Sequence, residues 1–141
     1  MSLVVIHSIA FPDRFLRMDG TGVTQFVGTG AGTRNNDGTV SFKSTAFPNV
    51  YLRIETTGVA QGVKLNAGGG VVNAQFGGFG GETFRIHKKE TAPGKTMGVV
   101  GLEAALSPGR FLRLDGSTPA GVVNVQGVFG SYEEFEILVV G

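Results

Sequence analysis

Apolar and polar residues alternate along most of this chain in short runs bounded by Gly, Pro, Asn and Asp. A period of two with such boundaries predicts β-strands joined by tight turns, and nothing in the pattern has helical spacing. Three runs align without gaps: "IHSIAFPDRFLRMDG" from Ile6, "FKSTAFPNVYLRIET" from Phe42 and "LEAALSPGRFLRLDG" from Leu102. Each carries a proline at the same place (Pro12, Pro48, Pro108), then an aromatic (Phe15, Tyr51, Phe111) and an arginine (Arg17, Arg53, Arg113). A β-type run that stops at a Pro-bearing turn and restarts as FLR or YLR predicts two strands with a short connection. Successive strand side chains point to opposite faces. Leu16, Met18, Leu52, Ile54, Leu112 and Leu114 are therefore expected in the core, with the aromatics and arginines on the other face and the arginines at the surface.

A second pattern follows the later two runs: "VVNAQ" with "ETFRI", and "VVNVQ" with "EEFEI". The interval from Asn73 to Phe84 equals that from Asn124 to Phe135. Repeats two and three thus each predict about four strands. Between Arg17 and Phe42 there is no N-x-Q or F-x-I, so the later strands of repeat one are expected to be short, degenerate or absent. Threefold repetition of such a unit predicts an all-β chain, a β-trefoil of about 12 short strands with a degenerate first repeat. Six strands would form a barrel and three hairpins would cap it, leaving few free edges. The expected organisation is one domain, 1–141, with repeats at roughly 3–38, 39–98 and 99–141. A β-sandwich is the competing architecture and needs no threefold repeat.

Composition narrows the class. The chain has 24 glycines, but 41% apolar residues and a mean hydropathy of +0.15 exclude a disordered glycine-rich linker, which makes the glycines turn positions. A formal charge of +1 provides no global field toward nucleic acid or an anionic membrane. Without cysteine there is no disulfide, thiolate nucleophile or zinc–thiolate site, which is compatible with a cytoplasmic location. The start "SLVVI" is too short for a signal-peptide core and no apolar span reaches about twenty residues. A soluble chain without membrane insertion is expected, and its compartment stays open.

"DGTVSFKSTAFPNVYLR" (37–53) resembles the recurring S-F-x-S-x-x-x-P-x-x-Y-L-R string of the sugar-binding domain attached to arabinofuranosidases. "YLRIE" followed by "VVNAQ" and "FRI" is similar to the repeat of fascin-type trefoils and, more loosely, to fibroblast growth factors and interleukin-1-like cytokines. These resemblances imply the trefoil fold and a binding function. In the arabinofuranosidase domain a histidine follows Y-L-R and an aspartate precedes the later phenylalanine, and together they hold the sugar. Here Met18, Ile54 and Leu114 stand after the arginines, and Glu82 and Glu133 lie near the aspartate's place. That sugar constellation is accordingly not carried over. Lectins of the Q-x-W type are excluded in their usual form by the absence of tryptophan. An aromatic platform for a sugar would have to come from Phe76, Phe79, Phe129 or Tyr132.

The residues offer little for catalysis. His7 adjoins Ser8, but neighbours on a strand face opposite ways and cannot form a nucleophile–base pair; His87 likewise suits a structural or surface role. Asp19, Glu55 and Asp115 are equivalent by repeat and therefore spread apart, unlike the close carboxylate pair of a glycosidase. Each is first a turn acceptor, and second a polar group of a shallow pocket beside Arg17, Arg53 or Arg113. "GTGAGT" (28–33) is followed by the turn signal "RNNDG" rather than by a helix, against phosphate binding. Asn73, Gln75, Asn124 and Gln126 alternate with apolar residues and form a polar row suited to cross-strand partners, glycan or peptide backbone. "HKKETAPGK" (87–95) is a solvated loop before it is a polyanion site.

The leading expectation is a non-enzymatic, lectin-like carbohydrate-binding module with shallow sites repeated around the barrel and no metal or cofactor. Its ligand contacts would come from Arg17, Asp19, Arg53, Glu55, Asn73, Gln75, Phe76, Arg113, Asp115, Asn124 and Gln126. The alternative is a protein-interaction trefoil using exposed loops such as 87–101, with a protease inhibitor less favoured. The partner is a glycan or a protein, not nucleic acid, and the oligomeric state is open.

Overall fold

The computed structural model describes residues 3–18, 38–76, 80–89 and 98–139. They form eight antiparallel strands: β1 (Val4–Ser8), β2 (Val50–Glu55), β3 (Val71–Phe76), β4 (Phe84–Lys88), β5 (Val100–Ala104), β6 (Phe111–Asp115), β7 (Val122–Gln126) and β8 (Phe135–Val139). Short 3-10 turns, Gly80–Glu82 and Ser131–Glu133, precede β4 and β8. The chain is all-β, with no α-helix among the described residues. One sheet runs β1-β8-β5-β6-β7 with β4 also on β5, and β2-β3 form a second; among the described residues neither closes on itself. Most of the expected later strands of repeat one fall in 19–37, outside the described residues.

The three aligned runs make the same turn. Ser8 N donates to Arg14 O, Ser44 N to Val50 O, and Ala104 N to Arg110 O, each at 2.8–3.0 Å. In the first two, the serine hydroxyl accepts from the backbone N–H three residues on, Phe11 at 2.9 Å and Phe47 at 3.0 Å. Ala104 has no hydroxyl, so Ser107 N turns to the Ala104 carbonyl at 3.3 Å instead. In repeats two and three the residue after the proline takes the left-handed region open to Gly and tolerated by Asn, Asn49 with φ of 59° and Gly109 with φ of 82°; Asp13, their counterpart in repeat one, does not.

Repeats two and three then continue alike. Arg53 faces Asn73 across β2–β3, and Arg113 faces Asn124 across β6–β7. β4 pairs with β5 through Phe84↔Ala104, Ile86↔Leu102 and Lys88↔Val100. β8 pairs with β1 in the corresponding register, through Phe135↔Ser8, Ile137↔Ile6 and Val139↔Val4. The end of one repeat thus clasps the beginning of the next, and the end of the last clasps the beginning of the first.

Phe84, Leu102, Leu112, Val125 and Phe135 are fully buried at the centre, with Leu52, Ile54 and Leu114 beside them. Leu16 and Met18 pack partly buried against this cluster, as alternation predicts. The opposite face departs from expectation. Tyr51 and Phe111 are buried, and Arg113, expected at the surface, is only 5% exposed. The cause in repeat three is a covering segment. The β2–β3 connection, 56–70, is longer than its counterpart 116–121 and lies over β6 and β7. Gly127 makes room for it, since a Cβ there would collide with the Ala60 and Val63 carbonyl oxygens.

Candidate functional site

The expected contacts divide sharply between repeats. In repeat three they hold the chain to itself. Arg113 Nη1 donates to Ala67 O and to Asn124 Oδ1, both at 3.2 Å, while Nη2 meets Asp115 Oδ2 at 3.5 Å. Its guanidinium lies 5.3 Å from the centre of the Tyr132 ring, a cation–π geometry. Asn124 Nδ2 donates to Ala67 O at 2.8 Å. Gln126 grips both backbone groups of Leu65, accepting from its N–H and donating to its carbonyl, each at 2.8 Å. Asp115 accepts from Ser117 N at 3.0 Å and from Ser117 Oγ at 2.6 Å, the turn role its position predicts. The Ser117 hydroxyl and N–H, aided by Arg113, hold the Asp115 carboxyl below its usual range.

In repeat two the equivalent residues are open. Arg53 and Glu55 line a concave pocket of about 200 Å³, closed on its other sides by Thr57, Thr83, Leu106 and Ser107. Arg53 Nη2 lies 3.9 Å from Glu55 Oε2, too long for a hydrogen bond, and Glu55 accepts instead from the Thr57 hydroxyl. Gly81 lets the 3-10 turn approach the strand, because a Cβ there would meet Ile54 O at 2.8 Å and Arg53 Cγ at 3.2 Å. The same turn delivers Glu82, only 5% exposed, to the vicinity of Arg53. Burial raises the Glu82 pKa, opposed by its backbone hydrogen bond and the Arg53 charge. Glu133 repeats this arrangement: burial raises it, against the Gly130 N–H donated to its Oε1 at 2.8 Å and the nearby Arg113.

The remaining expected residues do not join this pocket. Asn73 and Gln75 are exposed on β3, Phe76 is half-buried at its end, and Arg17 is exposed; Asp19 lies outside the described residues. Among the aromatics suggested as a platform, Phe129 stacks on Phe111 with centroids 5.0 Å apart, edge-on to His87, and Tyr132 packs on Phe11. Phe79 lies outside the described residues, as does most of the 87–101 loop; Lys89 at its start is tied to Glu134 at 2.8 Å. The pocket lining from Thr57, Leu106 and Ser107 was not anticipated, since these residues carry no motif and meet only through the packing of two repeats. Among the described residues no three His, Asp or Glu side chains converge as a metal site, and no helix is long and apolar enough to cross a membrane. Compared with protein-family models, curated proteins and solved structures, the chain matches none.

Proposed function

We propose that this protein is a non-catalytic binding module of β-trefoil architecture whose ligand is a carbohydrate, held at one pocket rather than at three repeated sites. The trefoil is supported by the shared turn of the three runs and by the cyclic register in which β4 meets β5 and β8 meets β1. The binding reading rests on one contrast. At positions equivalent by repeat, Arg113 is buried and occupied, whereas Arg53 and Glu55 open on a polar pocket.

The pocket offers a planar donor, a carboxylate acceptor and hydroxyls within a small volume, with Leu106, 71% exposed, as an apolar rim. A guanidinium and a carboxylate together satisfy neighbouring hydroxyls of a sugar ring, and an apolar rim suits its C–H face. A volume of about 200 Å³ is below the usual size of a drug-like site, so it takes one terminal sugar with the rest of the glycan in solvent. On a glycan array, saturable binding competed by free sugar and lost in Arg53→Ala is expected. Silence across a broad array, or binding indifferent to Arg53→Ala, overturns the proposal.

A further inference from the structure

We infer that the pocket at Arg53 admits uncharged terminal sugars and turns away those bearing a carboxylate or a sulfate, with Glu55 as the residue that makes the distinction; the inference rests on the carbohydrate reading above. The pocket is open because two of its side chains are small. At the junction of repeats three and one the corresponding space is filled. Tyr132 lies 5.3 Å from the Arg113 guanidinium, Phe11 packs on Tyr132 with centroids 5.2 Å apart, and a Cβ on Gly116 would come within 2.8 Å of the Phe11 ring. The two junctions share their backbone pairing, since Ala105 N donates to Thr83 O at 3.1 Å as Ile9 N donates to Glu134 O at 3.0 Å. That register puts Gly81 in the place of Tyr132 and Ser107 in the place of Phe11, and both line the pocket. A glycine and a serine thus leave open beside Arg53 the space that two aromatic rings close beside Arg113.

What can enter is set by the charge already there. Among the described residues that line the pocket, Arg53 is the one cation and Glu55 the one anion, with Nη2 and Oε2 3.9 Å apart. The Arg53 charge also acts on the buried Glu82. The guanidinium is therefore balanced from within the chain, as Arg113 is by Asp115 at 3.5 Å and by Glu133. In repeat three the further acceptors of Arg113 are uncharged, the Ala67 carbonyl and the Asn124 amide oxygen, both at 3.2 Å. A sugar hydroxyl suits the open pair in the same way: it accepts from Arg53, donates to Glu55 and brings no charge. A carboxylate or sulfate can also accept from Arg53, but it has no proton for Glu55 and sits beside a like charge about as close as the guanidinium that attracts it. Attraction and repulsion then offset each other, and the cost of stripping water from the anion is left without compensation.

A glycan array printed with uncharged terminal sugars, each beside its uronic acid and its sulfated form, tests this on the parent protein and on Glu55→Gln at low salt. The parent should bind the uncharged member of a pair about tenfold or more tightly. In Glu55→Gln the amide oxygen still accepts from the Thr57 hydroxyl, but the charge is gone. Uncharged sugars should weaken by up to about fivefold and acidic ones should gain, so that the ratio within each pair falls about tenfold or more. A merely structural role for Glu55 would lower both members together and leave that ratio where it was. Acidic members bound by the parent as tightly as uncharged ones, or a ratio unchanged in a Glu55→Gln protein with the parental urea midpoint, would overturn this inference and leave the carbohydrate reading standing. Silence across the whole array would overturn both.

Discussion

Replacing Gln126 by methionine keeps nearly the same side-chain length and volume but removes both polar atoms. Three hydrogen bonds disappear: from Leu65 N at 2.8 Å, to Leu65 O at 2.8 Å, and from Gly127 N at 3.0 Å. Gly127 is buried, so its orphaned N–H carries a full desolvation cost of about 1–3 kcal/mol. The two Leu65 groups are partly exposed and can turn to water, losing about 0.5–1.5 kcal/mol each. The loss is roughly 2–6 kcal/mol, with the lower half expected because the 56–70 connection can lift. At this chain length that lowers Tm by about 4–16 °C. Gln75→Met at the equivalent but exposed position should change stability by no more than about 0.5 kcal/mol. Urea unfolding of both variants at constant m value measures the difference. Equal losses for the two substitutions would refute the claim that repeat three, unlike repeat two, uses these residues to hold the chain to itself.

Backbone conformation gives a second test: Asn49→Gly should leave the urea midpoint nearly unchanged, whereas Asn49→Ala should cost about 1 kcal/mol at its positive φ. Gly109→Ala should cost more in the same assay, since its Cβ would also strike Gln61. For Glu133 the folded pKa is raised above the ordinary 4.5, so the protonated form favours folding. That contribution is complete below the unfolded pKa and is lost as pH rises through the folded one. Glu133→Gln retains the acceptor for Gly130 and should be more stable than the parent at pH 7, with the gap closing as pH falls toward 4.5; urea midpoints whose gap stays constant, or moves further in the variant's favour as pH falls, would refute the raised pKa. Asp115 acts in the opposite sense, below its ordinary 3.8, and leaves that window clear.

Much of the fold is legible because it is written in short-range chemistry. Prolines at fixed places and alternating residues predict the hairpins, and Leu52, Ile54, Leu112 and Leu114 are buried as their period demands. What alternation cannot say is what lies over the other face. Arg113 points away from the leucines as expected, yet it is buried because a distant connection crosses it. The signal was present in spacing: Arg53 to Asn73 is longer than Arg113 to Asn124, which marks an extra segment in repeat two. Nothing in "VAQGVKLNAGGG" states where that segment docks, since its hydrogen bonds are mostly through backbone groups that every sequence carries. The pocket was half legible, through Arg53 and Glu55; its Leu106 and Ser107 wall belongs to the next repeat and depends on how the two are packed.

The pairing of β8 with β1 also has a consequence for synthesis. Of the described strands β1 is synthesised before all the others, and β8, which covers its edge, after them. Until β8 is made, the Val4–Ser8 edge and the apolar Ile6 lack that partner, so the edge stays open to wrong pairing while the strands between them are synthesised. Conditions that slow synthesis between β1 and β8 should therefore lower the yield of correctly folded protein more than an equal loss of folded-state stability would.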